Sequence, residues 1–98
     1  MNIEWSPLAI ERVAEISEYI SQDSPMAAAK WVESIFEKSA ILGEFPESGR
    51  VVPELKKHDI RELLFGNYRI IYKVGSNVIS VLTVRHTRQI LPVEEVKA

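Results

Sequence analysis

Apolar residues in the first forty positions follow helical spacing, and those after position 60 follow strand spacing. Ile10, Val13, Ile16 and Ile20 stand three, three and four apart, so they share one helical face, with Glu11, Glu15 and Glu18 turned toward water. Ser6-Pro7 starts that helix, Ser as N-cap and Pro at the first helical position. After a break at Ser21-Gln22-Asp23, Ser24-Pro25 repeats the signal. Ala28, Val32, Ile35, Ser39 and Leu42 then form a second stripe, which Gly43 would end. Ala27, Ala28 and Ala29 are strong helix formers whose small side chains let a neighbouring helix approach. Two such segments with a short link predict an antiparallel helical hairpin. Helices of this length are marginal alone, so the hairpin must pack on something else.

That something is predicted to be a sheet. Phe45 to Arg50 reads as a loop by its Pro, Gly and Ser, and Val51-Val52 is extended ahead of Pro53. Ile60–Phe65, Tyr68–Val74 and Val78–His86 are rich in β-branched and aromatic residues. Turn signals at Gly66-Asn67 and Gly75-Ser76-Asn77 separate them. Met1 to Trp5 alternates as a short edge strand would. The expectation is one α+β domain over residues 1–98, in the order β-α-α-β-β-β. Its N-terminal strand and helical hairpin would pack on a small antiparallel sheet. Alternation puts Tyr68, Ile70, Tyr72 and Val74 on one face and Arg69, Ile71 and Lys73 on the other. It sets Ser80, Leu82, Val84 and His86 against Ile79, Val81, Thr83 and Arg85. Arg61 goes with Leu63 and Phe65, opposite Glu62 and Leu64.

Charge divides along the chain. Residues 1–49 hold three basic side chains against nine acids, and residues 50–98 hold nine against five, within a net charge of −2. A general nucleic-acid binder is usually basic throughout. The division predicts instead a local positive surface on the C-terminal half. The absence of cysteine excludes disulfides, thiolate catalysis and cysteine-ligated metal, and agrees with a cytoplasmic location. His58 and His86 are too far apart in sequence for a zinc-site spacing, so no metal is expected. No motif calls for a cofactor. Neither a signal pattern nor a bilayer-length apolar run is present, so no membrane partner is expected.

Within the C-terminal half, Arg61, Arg69, Arg85 and Arg88 recur on or beside neighbouring strands. The guanidinium fork suits phosphate or carboxylate, so these four are the candidate anion-binding face. Pairing with Asp59, Glu62 or acids of the hairpin is the structural alternative. His86, between Arg85 and Arg88, is a candidate for proton transfer, against a purely structural role. His58 reads as solvated loop. Tyr68, Tyr72, Trp5 and Trp31 read as core or hairpin anchors.

The pieces IEWSPLAIERVAEISEYI, SPMAAAKWVESIF, LGEFPESGR, IRELLFGNYRIIYKV and VISVLTVRHTR, in that order, resemble the RelE/ParE superfamily of type II toxin–antitoxin toxins over nearly the whole chain. The resemblance implies a microbial-RNase-like fold. It also implies a cognate antitoxin with an acidic-apolar C-terminal segment that folds around the toxin as a hetero-oligomer. The long hairpin and the WSPLA, FPESGR and REL pieces look closer to the ParE branch, which implies inhibition of DNA gyrase. The RelE branch implies cleavage of mRNA on the ribosome. In that case Arg61, Arg69, Arg85 and His86 match its catalytic groups. The segment after Arg88, Gln89-Ile90-Leu91-Pro92, lacks the tyrosine or histidine that several RelE-like members carry there. A third reading is a degenerate member that only binds antitoxin and co-represses.

Overall fold

The computed structural model describes residues 1–96. The chain forms β1 (Asn2–Trp5), α1 (Pro7–Ser21), α2 (Pro25–Ala40), β2 (Arg50–Val51), β3 (Ile60–Phe65), β4 (Tyr68–Val74) and β5 (Val78–His86). Short 3-10 turns follow at Ile41–Gly43 and Val93–Val96. Both helices start as their sequences dictate. Ser6 Oγ accepts the N–H of Ala9 at 3.0 Å, and Ser24 Oγ accepts that of Ala27 at 3.1 Å. The second helix passes into the 3-10 turn before reaching Gly43, so the helix proper ends at Ala40, short of the Leu42 that closes its apolar stripe.

The sheet has five strands in the order β1-β5-β4-β3-β2. The expected antiparallel β3-β4-β5 meander is present, with Val51 contributing to a two-residue outer strand. The sheet is mixed, because β1 runs parallel to β5. Side-chain alternation is the same for either strand direction, so sequence pattern alone leaves this open.

Both helices cover one face. The core there includes Val13, Ile35, Leu42, Ile70, Tyr72 and Val81, all buried. Ile10 is a correction: it is 45% exposed, and Ala9 and Val13 face the sheet instead. Ser6 explains the rotation. Its N–H donates to Val81 C=O and its hydroxyl to Leu82 C=O, both at 2.9 Å, which pins the helix start against β5. The small side chain of Ala9 then permits close approach. On the other face a second apolar cluster joins Val52, Ile60, Ile71 and Leu82 to Leu91 and Val96 of the C-terminal segment.

A β-bulge overturns the expected faces of the last strand. Tyr72 pairs with Val81 and Ile71 with Thr83, so Leu82 is an extra residue in β5. Parity reverses there. Ile79 and Val81 face the helices, as do Val84 and His86 beyond the bulge. Leu82, Thr83 and Arg85 turn to the opposite face.

Candidate functional site

Arg69 and Arg85 sit directly opposite one another on β4 and β5, on the face away from the helices. Two like charges in that position repel. Each is met by carboxylates of its own chain. Arg69 Nε donates to Glu62 Oε1 at 2.8 Å, and its terminal nitrogens reach both oxygens of Glu54 at 2.9 and 2.8 Å. Nη1 also reaches Gln89 C=O at 3.3 Å. The second oxygen of Glu62 takes Arg50 Nε at 2.5 Å, and no part of the Glu62 side chain is exposed. The hydrogen bond from Arg69 lowers Glu54 to a pKa of about 2 against the opposing effect of burial. The same Glu54 bond raises the pKa of Arg69.

Arg85 turns its fork onto Glu95, through Nε at 3.0 Å and through Nη2. Glu95 also accepts from Thr83 Oγ1 at 2.7 Å and from Arg12 Nη2 of α1 at 2.8 Å. Burial acts to raise the pKa of Glu95. The bonds from Arg12, Arg85 and Thr83 outweigh it and hold the group at about 2. This clasp ties α1, β5 and the turn Val93–Val96 together.

The other candidates lie elsewhere. Arg61 points to the helix side, where Nη1 donates to Gly49 C=O at 3.0 Å and Nη2 lies 3.8 Å from Glu47. It steadies the loop that Tyr72 also holds: the phenol donates to Pro46 C=O and accepts the N–H of Gly49. Arg88 is exposed in the turn after β5. Its N–H donates to Nδ1 of His86 at 3.1 Å, which places the ring proton of the neutral imidazole on Nε2. The four arginines therefore do not converge: two are adjacent and occupied, one is on the opposite face and one is beyond the strand. His58 is exposed in its loop.

His86 instead borders a cleft of about 550 Å³ between α1 and the ends of β4 and β5. Its ring meets Tyr68 edge-on at 5.5 Å, and Tyr19, Asn67 and Gln89 complete the rim. Burial, then the neighbouring Tyr19, raises the pKa of Tyr68. Sequence reasoning missed Arg12 and Glu95 as members of the arginine network. The available signal was a lone arginine between Glu11 and Val13, at the margin of the apolar stripe. Among the described residues no cluster of His, Asp and Glu could hold a metal ion, and no helix is long and apolar enough to cross a membrane.

Two helices on one face of a five-stranded mixed sheet with arginine-bearing central strands is the architecture of RelE/ParE superfamily toxins. The family model described as "ParE toxin of type II toxin-antitoxin system, parDE" matches residues 3–91, and the chain belongs to that family. It is 39% identical to Y4kP of Sinorhizobium fredii, a candidate toxin by its name, over 92% of each chain. It is 29% identical to Toxin RelE2 of Caulobacter vibrioides, over 90% of this chain and 97% of that one. A solved structure of the chromosomal ParDE system from P. aeruginosa has the same fold, with a TM-score of 0.74 at 21% identity, covering 88% of this chain and 95% of that one. The protein is thus the toxin of a type II toxin–antitoxin system, and an antitoxin partner is implied by that membership.

Proposed function

We propose that this toxin acts by binding DNA gyrase and inhibiting it, without catalysis of its own, and that a cognate antitoxin neutralises it in a hetero-oligomer. The observation that carries this reading is the occupied state of Arg69 and Arg85. Phosphoryl-transfer chemistry needs guanidinium donors free to meet charge that develops in the transition state. Here both face carboxylates instead. The sequence pI near 5.7 points the same way, because docking into ribosomal RNA draws most of its affinity from net positive charge. The family match to ParE is the further support.

A nuclease reading draws on His86, whose Nε2 edge is not engaged by the Arg88 bond and which borders an open cleft. One pair of assays separates the two. Purified antitoxin-free protein is expected to block supercoiling by gyrase, and primer extension on translated mRNA is expected to give no new cuts. Absence of gyrase inhibition, together with A-site cuts that His86→Ala abolishes, would replace the first reading with the second. Growth unaffected by induction without antitoxin would favour a non-toxic co-repressor over both.

A further inference from the structure

The corner where β1 meets the end of α2 is apolar and uncovered. β1 is the outermost strand of the sheet on that side, so no other strand flanks it. Phe36 of α2, 36% exposed, stacks on Trp5 of β1 with ring centroids 4.5 Å apart. Ile41, 40% exposed, opens the 3-10 turn that follows, and its C=O accepts the N–H of Phe45 at 2.9 Å. Phe45 itself is 62% exposed. The Met1 amine donates to Gly43 C=O at 2.8 Å, which closes that turn against β1. These contacts join Met1, Phe36, Ile41 and Phe45 into one surface, and none of the four belongs to either apolar core cluster. Single apolar side chains on a surface need no explanation, but a contiguous group of them marks a site of contact. Trp5 holds Phe36, and Ile41 holds the backbone under Phe45, so little freedom remains to be lost on binding.

The rim of this surface is acidic. From Glu33 to Phe45 the chain carries Glu33, Glu37 and Glu44, all exposed, against Lys38. None of these acids takes part in an ion pair among the described residues. An apolar centre within a charged rim is the anatomy of a recognition surface, and the sign of the rim selects the partner. A second copy of the chain would set these acids against themselves, because a two-fold contact repeats one patch on both sides. An acidic antitoxin segment carries the wrong charge too. An enzyme that handles DNA presents the right one, because its phosphate contacts require basic surface. We propose that this corner is where the toxin meets gyrase, which places against it an apolar side chain bordered by lysines or arginines. The assignment rests on the gyrase reading above and adds its place of contact, away from the arginines of the sheet.

Binding of antitoxin-free toxin to immobilised gyrase, followed by surface plasmon resonance, tests the contact. Phe45→Ala, at a side chain exposed enough to leave folding alone, should weaken binding about tenfold. The double reversal Glu37→Lys with Glu44→Lys should slow association about tenfold at low salt and flatten its dependence on salt. Both proteins should melt as wild type does by circular dichroism and bind antitoxin with unchanged affinity. Ile90→Ala, at an exposed position outside the corner, should bind gyrase normally. Wild-type affinity for gyrase in both corner variants would overturn the site while leaving the gyrase reading intact. Loss of antitoxin binding with gyrase binding unchanged would overturn the choice of occupant. So would a toxin dimer in sedimentation that Phe45→Ala abolishes. Failure of the wild-type toxin to bind gyrase would remove both the site and the reading on which it rests.

Discussion

Glu62 is a carboxylate with no exposed side-chain surface, held between Arg50 and Arg69. Taking such a group out of water is unfavourable, and only the two guanidiniums offset it. Removing the carboxylate leaves Arg69, itself 6% exposed, with Glu54 as its remaining acid. Glu62→Ala is therefore expected to lower unfolding free energy by about 3 kcal/mol, measured by urea denaturation. The double replacement of Glu62 and Arg69 by leucine should cost less than the two single changes added together, because neither charge is then left alone. Arg61 has a different part at this scale. Its bond to Gly49 C=O, beside the two bonds of Tyr72, fixes the loop entering β2. Gly49 is required there, since an added Cβ would lie 2.5 Å from Glu62 C=O and 2.6 Å from the Tyr72 hydroxyl.

At the level of elements, the single extra residue in β5 organises what lies around it. The bulge at Leu82 exposes a carbonyl at the strand's outer edge, and Ser6 Oγ donates to it while capping α1 through Ala9 N–H. One serine thus sets both the start of the helix and its attachment to the sheet. Ser24 only caps its helix, in an exposed position. Ser6→Ala is expected to cost about 2 kcal/mol and Ser24→Ala about 1 kcal/mol or less, compared by their denaturation midpoints. Equal losses would mean that the tie to the bulge contributes nothing. The reversal of parity also decides the site. It keeps Arg85 beside Arg69 on the far face, and brings His86 to the helix side with Tyr68.

For the whole molecule, the positive surplus of the second half does not become a free positive face. Three of that half's five acids, Glu54, Glu62 and Glu95, fold onto the same face as its central arginines. Glu54 and Glu95 titrate at about 2 when folded, against an ordinary carboxylate value of 4.5. A depressed folded pKa stabilises fully above the unfolded value and is lost as pH falls through the folded one. Thermal stability should therefore hold from neutral pH to about 5 and fall between about pH 4.5 and pH 2, with Glu95→Gln flattening that slope in melts followed by circular dichroism. A slope identical to wild type would show that the Glu95 clasp does not link the C-terminal segment to the fold. Much of this architecture was already present in the linear pattern, because it rests on local preferences. Ser-Pro starts, a 3.6-residue stripe in Ala28 to Leu42, and period-2 runs divided by Gly-Asn and Gly-Ser-Asn specify two helices and a meander wherever they occur. The placement of β1 parallel to β5, the rotation that exposes Ile10, the bulge at Leu82 and the acids that occupy Arg69 and Arg85 came only with tertiary structure. Each depends on which distant backbone or carboxylate a group meets, and no residue's own preference contains that information.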